Sequence, residues 1–393
     1  MTAKVQIFRL TALPCAGLLA MGLTGCAGPR ISTARYDFYA GQHERALSHL
    51  DPLPDGDTDR LMLLMERGMI KHEKGDHRGS VDDWQSAIAT ARQLDYYSVS
   101  KGGASYVVND TVMAYRGMPY ERVLLHSYSA LGYMSLRLWQ DAAVEARNII
   151  YRLEHREEFP DDAYSRYLAA FCLEMVGDEA GANFQYRQAS SMLAGLKIDE
   201  FTGRIAPAGT NSPYGTAPQT RPIETGEKWP DLTCFIAIGR LPSEHEMWIA
   251  RKALSTAPYA EIYINDKLAG RSYAMTSTAR LMADTRAKLL ARQLLKDASR
   301  IAFKDTVSQA VYKENHALGE LIRLILFAME APDTRRWETL PNWLEVARVP
   351  CPPDARSCTV VVRTPNGTVF SRKTVDLITG RDNNRAAFVR TLN

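Results

Sequence analysis

A chain of 393 residues with 46% hydrophobic and 24% charged residues has the composition of one large or two ordinary globular domains, which excludes wholesale disorder. The 48 Lys+Arg against 45 Asp+Glu leave a formal charge of only +3. That is too little to make nucleic acid an expected partner.

Residues 1–25 contain no acidic side chain and place Lys4 and Arg9 ahead of an apolar run from Leu10 to Leu23. A charged start before an apolar stretch of this length reads as a signal peptide; a membrane span takes about 20 apolar residues and a stop-transfer flank. The run ends in Leu23-Thr24-Gly25-Cys26, which resembles the bacterial lipobox. The resemblance implies that Cys26 is acylated, palmitate included, and becomes the first residue of the mature chain. An ordinary secretory signal with an incidental cysteine is the alternative. Several acyl chains on one residue anchor firmly, since each buried CH₂ contributes about 0.8 kcal/mol. Ala27 follows the cysteine, and resemblance to proteobacterial lipoproteins then implies the outer membrane, with the folded part in the periplasm beyond a lipidated tether over 26–35.

Residues 36–196 are expected to be helical and repetitive. Small residues at Ala46, Ser80, Ala142 and Ala182 mark places where paired helices would cross. Gly41, Gly75 and Gly177 stand five residues before three of them; Gly68, Ala130 and Ala170 stand twelve before. Leu50, Trp84, Ala146 and Tyr186 follow by four. The first two units are 34 residues apart, the period of the tetratricopeptide (TPR) repeat. The fold class expected is an α-helical TPR-like solenoid of about four repeats followed by a smaller α+β domain; generic antiparallel helix pairs are the alternative. The wider third spacing implies an insertion near 94–120.

Residues 197–231 carry Pro207, Pro213, Pro218, Pro222 and Pro230 with four glycines, the composition of a linker or surface strap. Over 232–393, strands are expected at 232–238, 260–265 and 344–349, and a hairpin at 358–377 turns on Pro365-Asn366-Gly367. Helices are expected from Ser277 to about Lys304 and from His316 to Ala331.

The lipobox, the helical array and the segment Asp333-Thr334-Arg335-Arg336-Trp337-Glu338-Thr339-Leu340-Pro341 followed by Ala347-Arg348-Val349 together resemble an uncharacterised family of proteobacterial TPR-containing outer-membrane lipoproteins. The resemblance extends over Tyr120-Glu121 to Ala130-Leu131 and Val144-Glu145-Ala146-Arg147. It implies location and architecture and supplies no activity.

No catalytic motif is found. There is no G-x-S-x-G elbow, no phosphate loop, no CxxC pair and no HExxH, so no catalysis, cofactor or metal is expected. His245 between Glu244 and Glu246 could orient a base, but Ser243 and Glu246 read better as a helix cap. Cys351 and Cys358 flank a short loop and form a possible disulfide, with Cys234 then a free core thiol. Cys172 reads as a packed thiol. Two features could bind a partner. Tyr133, Trp139 and Tyr167 lie on the array, where concave surfaces hold peptides, although aromatics there also fill repeat interfaces. Lys288, Arg292, Lys296 and Arg300 form a basic ridge that could meet an acidic partner, although such a row reads more readily as a solvated helix back. The function expected is a lipid-anchored scaffold for a periplasmic or outer-membrane protein partner. A regulator of peptidoglycan synthesis is the alternative, and a hydrolase centred on His245 a weaker third.

Overall fold

A residue in the left-handed conformation closes the first helix of each of four helix pairs: Gly41 (φ +74°), Gly75 (φ +92°), Arg137 (φ +60°) and Gly177 (φ +84°). The second helix of each pair begins two residues later. The computed structural model describes residues 28–53, 57–100, 114–155, 159–209, 229–242, 256–288 and 335–392. Its helices are α1 (Gly28–Tyr39), α2 (His43–Leu50), α3 (Arg60–Lys74), α4 (His77–Ser100), α5 (Pro119–Ser135), α6 (Trp139–His155), α7 (Ala163–Met175) and α8 (Glu179–Ser191). The starts of α7 and α8 are fixed by side chains that accept otherwise orphaned amide protons. Asp162 accepts from Ser165 N at 2.8 Å and Asp178 from Gly181 N at 3.1 Å.

The repeat register read from the sequence is a packing register. Ala46, Ser80, Ala142 and Ala182 are buried on the second helices, and Leu50, Trp84, Ala146 and Tyr186 fill the space beside them. Gly68 is required here, because a Cβ at that position would lie 2.4 Å from Nε1 of Trp84.

Three expected segments differ from what is observed. The tether over 26–35 is largely helix, since α1 starts at Gly28 and buries Ile31 and Ala34 in the core. The insertion begins as a continuation of α4 to Ser100; residues 101–113 lie outside the described residues. The strap is not open at its start: β1 (Leu196–Ile198) and β2 (Ile205–Pro207) form an antiparallel hairpin, and residues 210–228 lie outside the described residues.

The C-terminal half is β-rich, as expected of its α+β composition. Its strands are β3 (Asp231–Ile238), β4 (Tyr259–Ile264), β5 (Lys267–Arg271), β6 (Tyr273–Ser277), β7 (Trp343–Pro350), β8 (Ser357–Arg363), β9 (Val369–Asp376), β10 (Ile378–Thr379) and β11 (Arg385–Thr391). They form a five-stranded sheet of order β10-β11-β3-β7-β6 and a four-stranded sheet of order β5-β4-β8-β9. Among the described strands, only β11 and β3 pair in parallel. Residues 278–288 are helical (α9); the rest of that expected helix and the one over 316–331 lie outside the described residues.

Strand alternation divides the apolar side chains between two cores. Phe235, Ala237, Leu344 and Val346 face the helices, while Leu232, Cys234, Ile236, Ala347 and Val349 face the second sheet. The five-stranded sheet is therefore the middle of three layers, and every residue of β3 is buried. A strand covered on both faces reads as the continuous apolar run seen at 232–238.

Candidate functional site

The inner surface of the helical layer, where the sequence placed a partner, is filled by the chain itself. Tyr164 and Phe171 meet Phe235 of β3 with ring centroids 6.1 and 5.4 Å apart. Ahead of β7, residues 335–340 run along α1, α3 and α5 and are held by their backbone. Arg35 donates to the Arg336 carbonyl at 2.7 Å, and Tyr39 to the Glu338 carbonyl at 2.7 Å. Glu66 accepts the Glu338 amide at 3.0 Å, and Glu121 accepts the Trp337 amide at 2.8 Å. Trp337 and Leu340 are fully buried, with the Trp337 ring 5.8 Å from that of Tyr128.

Glu121 carries much of this arrangement. It also accepts from Met118 N at 2.8 Å, from Tyr120 Oη at 3.1 Å and from Tyr115 Oη. Burial raises its pKa, and the hydrogen bonds from Tyr115, Trp337, Met118 and Tyr120 oppose that rise. A second buried pair, His126 and Glu145, locks α5 to α6. Burial lowers the pKa of His126. In Glu145 the effect of burial is outweighed by hydrogen bonds from His126, Gln85 and Asn148, so its pKa is lowered.

The aromatics proposed as partner anchors are thus placed as follows. Tyr167 is fully buried and donates to the Gly203 carbonyl at 2.6 Å, because α7 turns that face onto the sheet and hairpin; it is a core residue and not a binding one. Trp139 is half-buried, 6.3 Å from the Phe171 ring and close against Gly380, where a Cβ would lie 3.2 Å from its Cζ2. Tyr133 is half-buried against the same core. Lys288 donates to the Phe159 carbonyl at 3.1 Å. Arg292, Lys296 and Arg300 lie outside the described residues, as do Cys26, Ser243, His245 and Glu246.

Cys351 and Cys358 are not bridged: Cys172, Cys234, Cys351 and Cys358 are all free thiols. Cys351, Cys358 and Cys234 are all buried in the core between the two sheets, and there Cys358 of β8 is partnered by Cys234 of β3. Their hydrogen bond, followed by burial, raises the pKa of Cys234 well above its ordinary value. Cys351 instead lies 3.6 Å from the Pro352 carbonyl.

Among the described residues, two accessible surfaces bear on binding. On the outer side, α6 exposes Val144 (52%) and Tyr151 (55%), and α8 exposes Phe184 (42%). The two helices are linked there by Gln185 donating to Glu154 at 3.2 Å.

The other surface is a recess of about 610 Å³ where α7, the β1–β2 loop, the start of β3, β7 and the turn before β11 converge. Its floor is a chain of paired charges. Arg348 binds Glu174 through both terminal nitrogens, at 2.7 and 2.8 Å, and Asp231 through Nε at 3.1 Å. Arg204 binds the other side of Asp231 at 2.8 Å. Asn384 accepts the Asp231 amide at 2.9 Å. Gly203 permits the close approach, since a Cβ would lie 2.5 Å from Nη1 of Arg348. The rim holds Phe201, Trp229, Asp382 and Asn383. Sequence reading missed the recess because its members lie in five separate segments, and only Arg348 fell in a singled-out motif. No family model matches this chain, and no curated protein matches it.

Proposed function

We propose that the protein is an outer-membrane-anchored periplasmic scaffold that binds a protein partner and catalyses no reaction, docking that partner on the outer face of α6 and α8. Four helix pairs with a shared turn, a small buried crossing residue and an aromatic or aliphatic filler support a TPR-type array. The lipobox at Cys26 supports the anchor. With α1 beginning at Gly28, an acylated Cys26 would hold the folded body close to the membrane surface.

The observation that carries the partner surface is the contrast between the two sides of the helical layer. The inner side is occupied by the five-stranded sheet and residues 335–340, while Val144, Tyr151 and Phe184 stand in solvent on the outer side. Large aromatic and aliphatic side chains left exposed on two helices joined by a hydrogen bond suit an interaction site. In-cell photo-crosslinking tests the reading, with probes at Tyr151 and Phe184 and a control at Tyr36, which is more exposed than either and lies on α1. A discrete crosslinked protein from both outer-face probes and not from Tyr36 is expected. Equal background labelling at all three positions contradicts the proposal.

A further inference from the structure

We propose that the recess is a binding site for a neutral oligosaccharide of two or three sugar units. The first argument is charge. Glu174 and Asp231 are matched in the floor by Arg204 and Arg348, so the floor has no net charge. An anionic ligand would meet Glu174, Asp231 and the exposed Asp382; a cationic one would meet two guanidinium groups. A neutral polyhydroxyl ligand suits such a floor, because every hydroxyl both donates and accepts: Glu174, 21% exposed above the buried Arg348, accepts, and the exposed Asn383 amide at the rim does both.

The second argument is the rim. Phe201 stands 74% exposed at the tip of the β1–β2 loop, where its ring contributes little to the core. Trp229 is half-buried in the same recess, followed by Pro230. Aromatic rings left in solvent beside polar groups offer apolar faces to the C–H side of a pyranose ring, while the polar groups take its hydroxyls. The loop is built to hold Phe201 there. Asp199 accepts from the Phe201 amide at 3.1 Å, the Thr202 amide at 2.8 Å and the Thr202 hydroxyl at 2.8 Å.

Opposite this loop, Asp382 (φ +55°) and Asn383 (φ +60°) are consecutive left-handed residues without being glycine. Two neighbouring side chains are thereby held at the rim in a sparsely populated backbone conformation, an arrangement that concentrates at ligand sites. Both are exposed. The volume lies within the range of about 300–1,000 Å³ typical of small-molecule sites.

Titration calorimetry of the full mature chain tests the site, using chitotriose, maltotriose and cellotriose as neutral probes. Trigalacturonate serves as the anionic probe and the glucosamine trimer as the cationic one. Saturable binding of at least one neutral trisaccharide, tighter than either charged one, is expected. Phe201→Ala and Trp229→Ala should each weaken it by about tenfold, a loss of about 1.4 kcal/mol, and Phe201→Tyr should retain it. Phe201→Ala removes an exposed ring, so its effect is not one of misfolding. Absence of binding by all three neutral probes at millimolar concentration overturns the proposal. So does tighter binding of a charged trimer, or neutral binding unchanged by both alanine substitutions. None of these results bears on crosslinking from Tyr151, so the site and the scaffold stand or fall separately.

Discussion

The inner groove and the recess both lie where helices meet the five-stranded sheet, yet one is filled and the other open. In the groove, Glu66, Glu121, Arg35 and Tyr39 each commit a hydrogen bond to the backbone of residues 336–338. In the recess, Glu174, Asp231, Arg204 and Arg348 bind one another, and the rim is left to solvent. The groove grips a non-helical segment through its peptide groups, as a peptide-binding cradle would, but the occupant is the chain's own. The difference shows that aromatics on the inner helices report an internal interface, whereas the accessible chemistry lies where the segments' ends converge.

The comparison is broken most severely by emptying the groove. Trp337→Ala should destabilise the protein by about 3–5 kcal/mol, the cost of removing a large buried aromatic. Urea unfolding measures it, and a loss below about 1 kcal/mol would mean that the segment only rests on the groove.

Glu345 tests the opposite face of the sheet. It is fully buried on β7 beside the Ser272 hydroxyl, and burial pushes its pKa from 4.5 up to about 8. Between those values the unfolded chain has released a proton that the folded protein retains. The unfolded state therefore binds fewer protons, and stability falls as pH rises through this window. Glu345→Gln should flatten that slope, leaving the variant more stable than the parent at pH 8 by on the order of a few kcal/mol. Parallel slopes from pH 5 to pH 8 would show that Glu345 is ionised in the fold.

Gly68→Ala strikes the packing behind the groove. The added methyl would meet the Trp84 indole, so a cost of about 1–3 kcal/mol is expected from overpacking. A thermal melt unchanged from the parent would show that Trp84 can move aside. At the smallest end, Phe201→Ala on the recess rim should change stability by no more than about 0.5 kcal/mol. A larger loss would place Phe201 in the core and remove it from the rim.

Much of the architecture was legible because it is periodic. The crossing residues Ala46, Ser80, Ala142 and Ala182 declared the helix pairs, and the run 232–238 declared the central strand. Arg137 hid one turn, since its left-handed conformation has no sequence signature comparable to glycine. Strands β5, β6, β10 and β11 went unread because they are short or mixed in polarity and gain their place from pairing. The ligand-facing chemistry was not legible. Arg348 and Glu174 are 174 residues apart, and only the tertiary fold makes them partners. Tyr167 was misjudged for the same reason, because nothing local shows that a sheet will cover its helix.

Hydrogen exchange of the backbone amides of Trp337 and Glu338 tests the self-filled groove most directly. Bonded to Glu121 and Glu66 and covered by helices, they should exchange as slowly as the amides of β3. Exchange at the rate of exposed loop amides such as Gly367 would mean that residues 335–340 leave the groove readily and that the inner face is open to a partner after all.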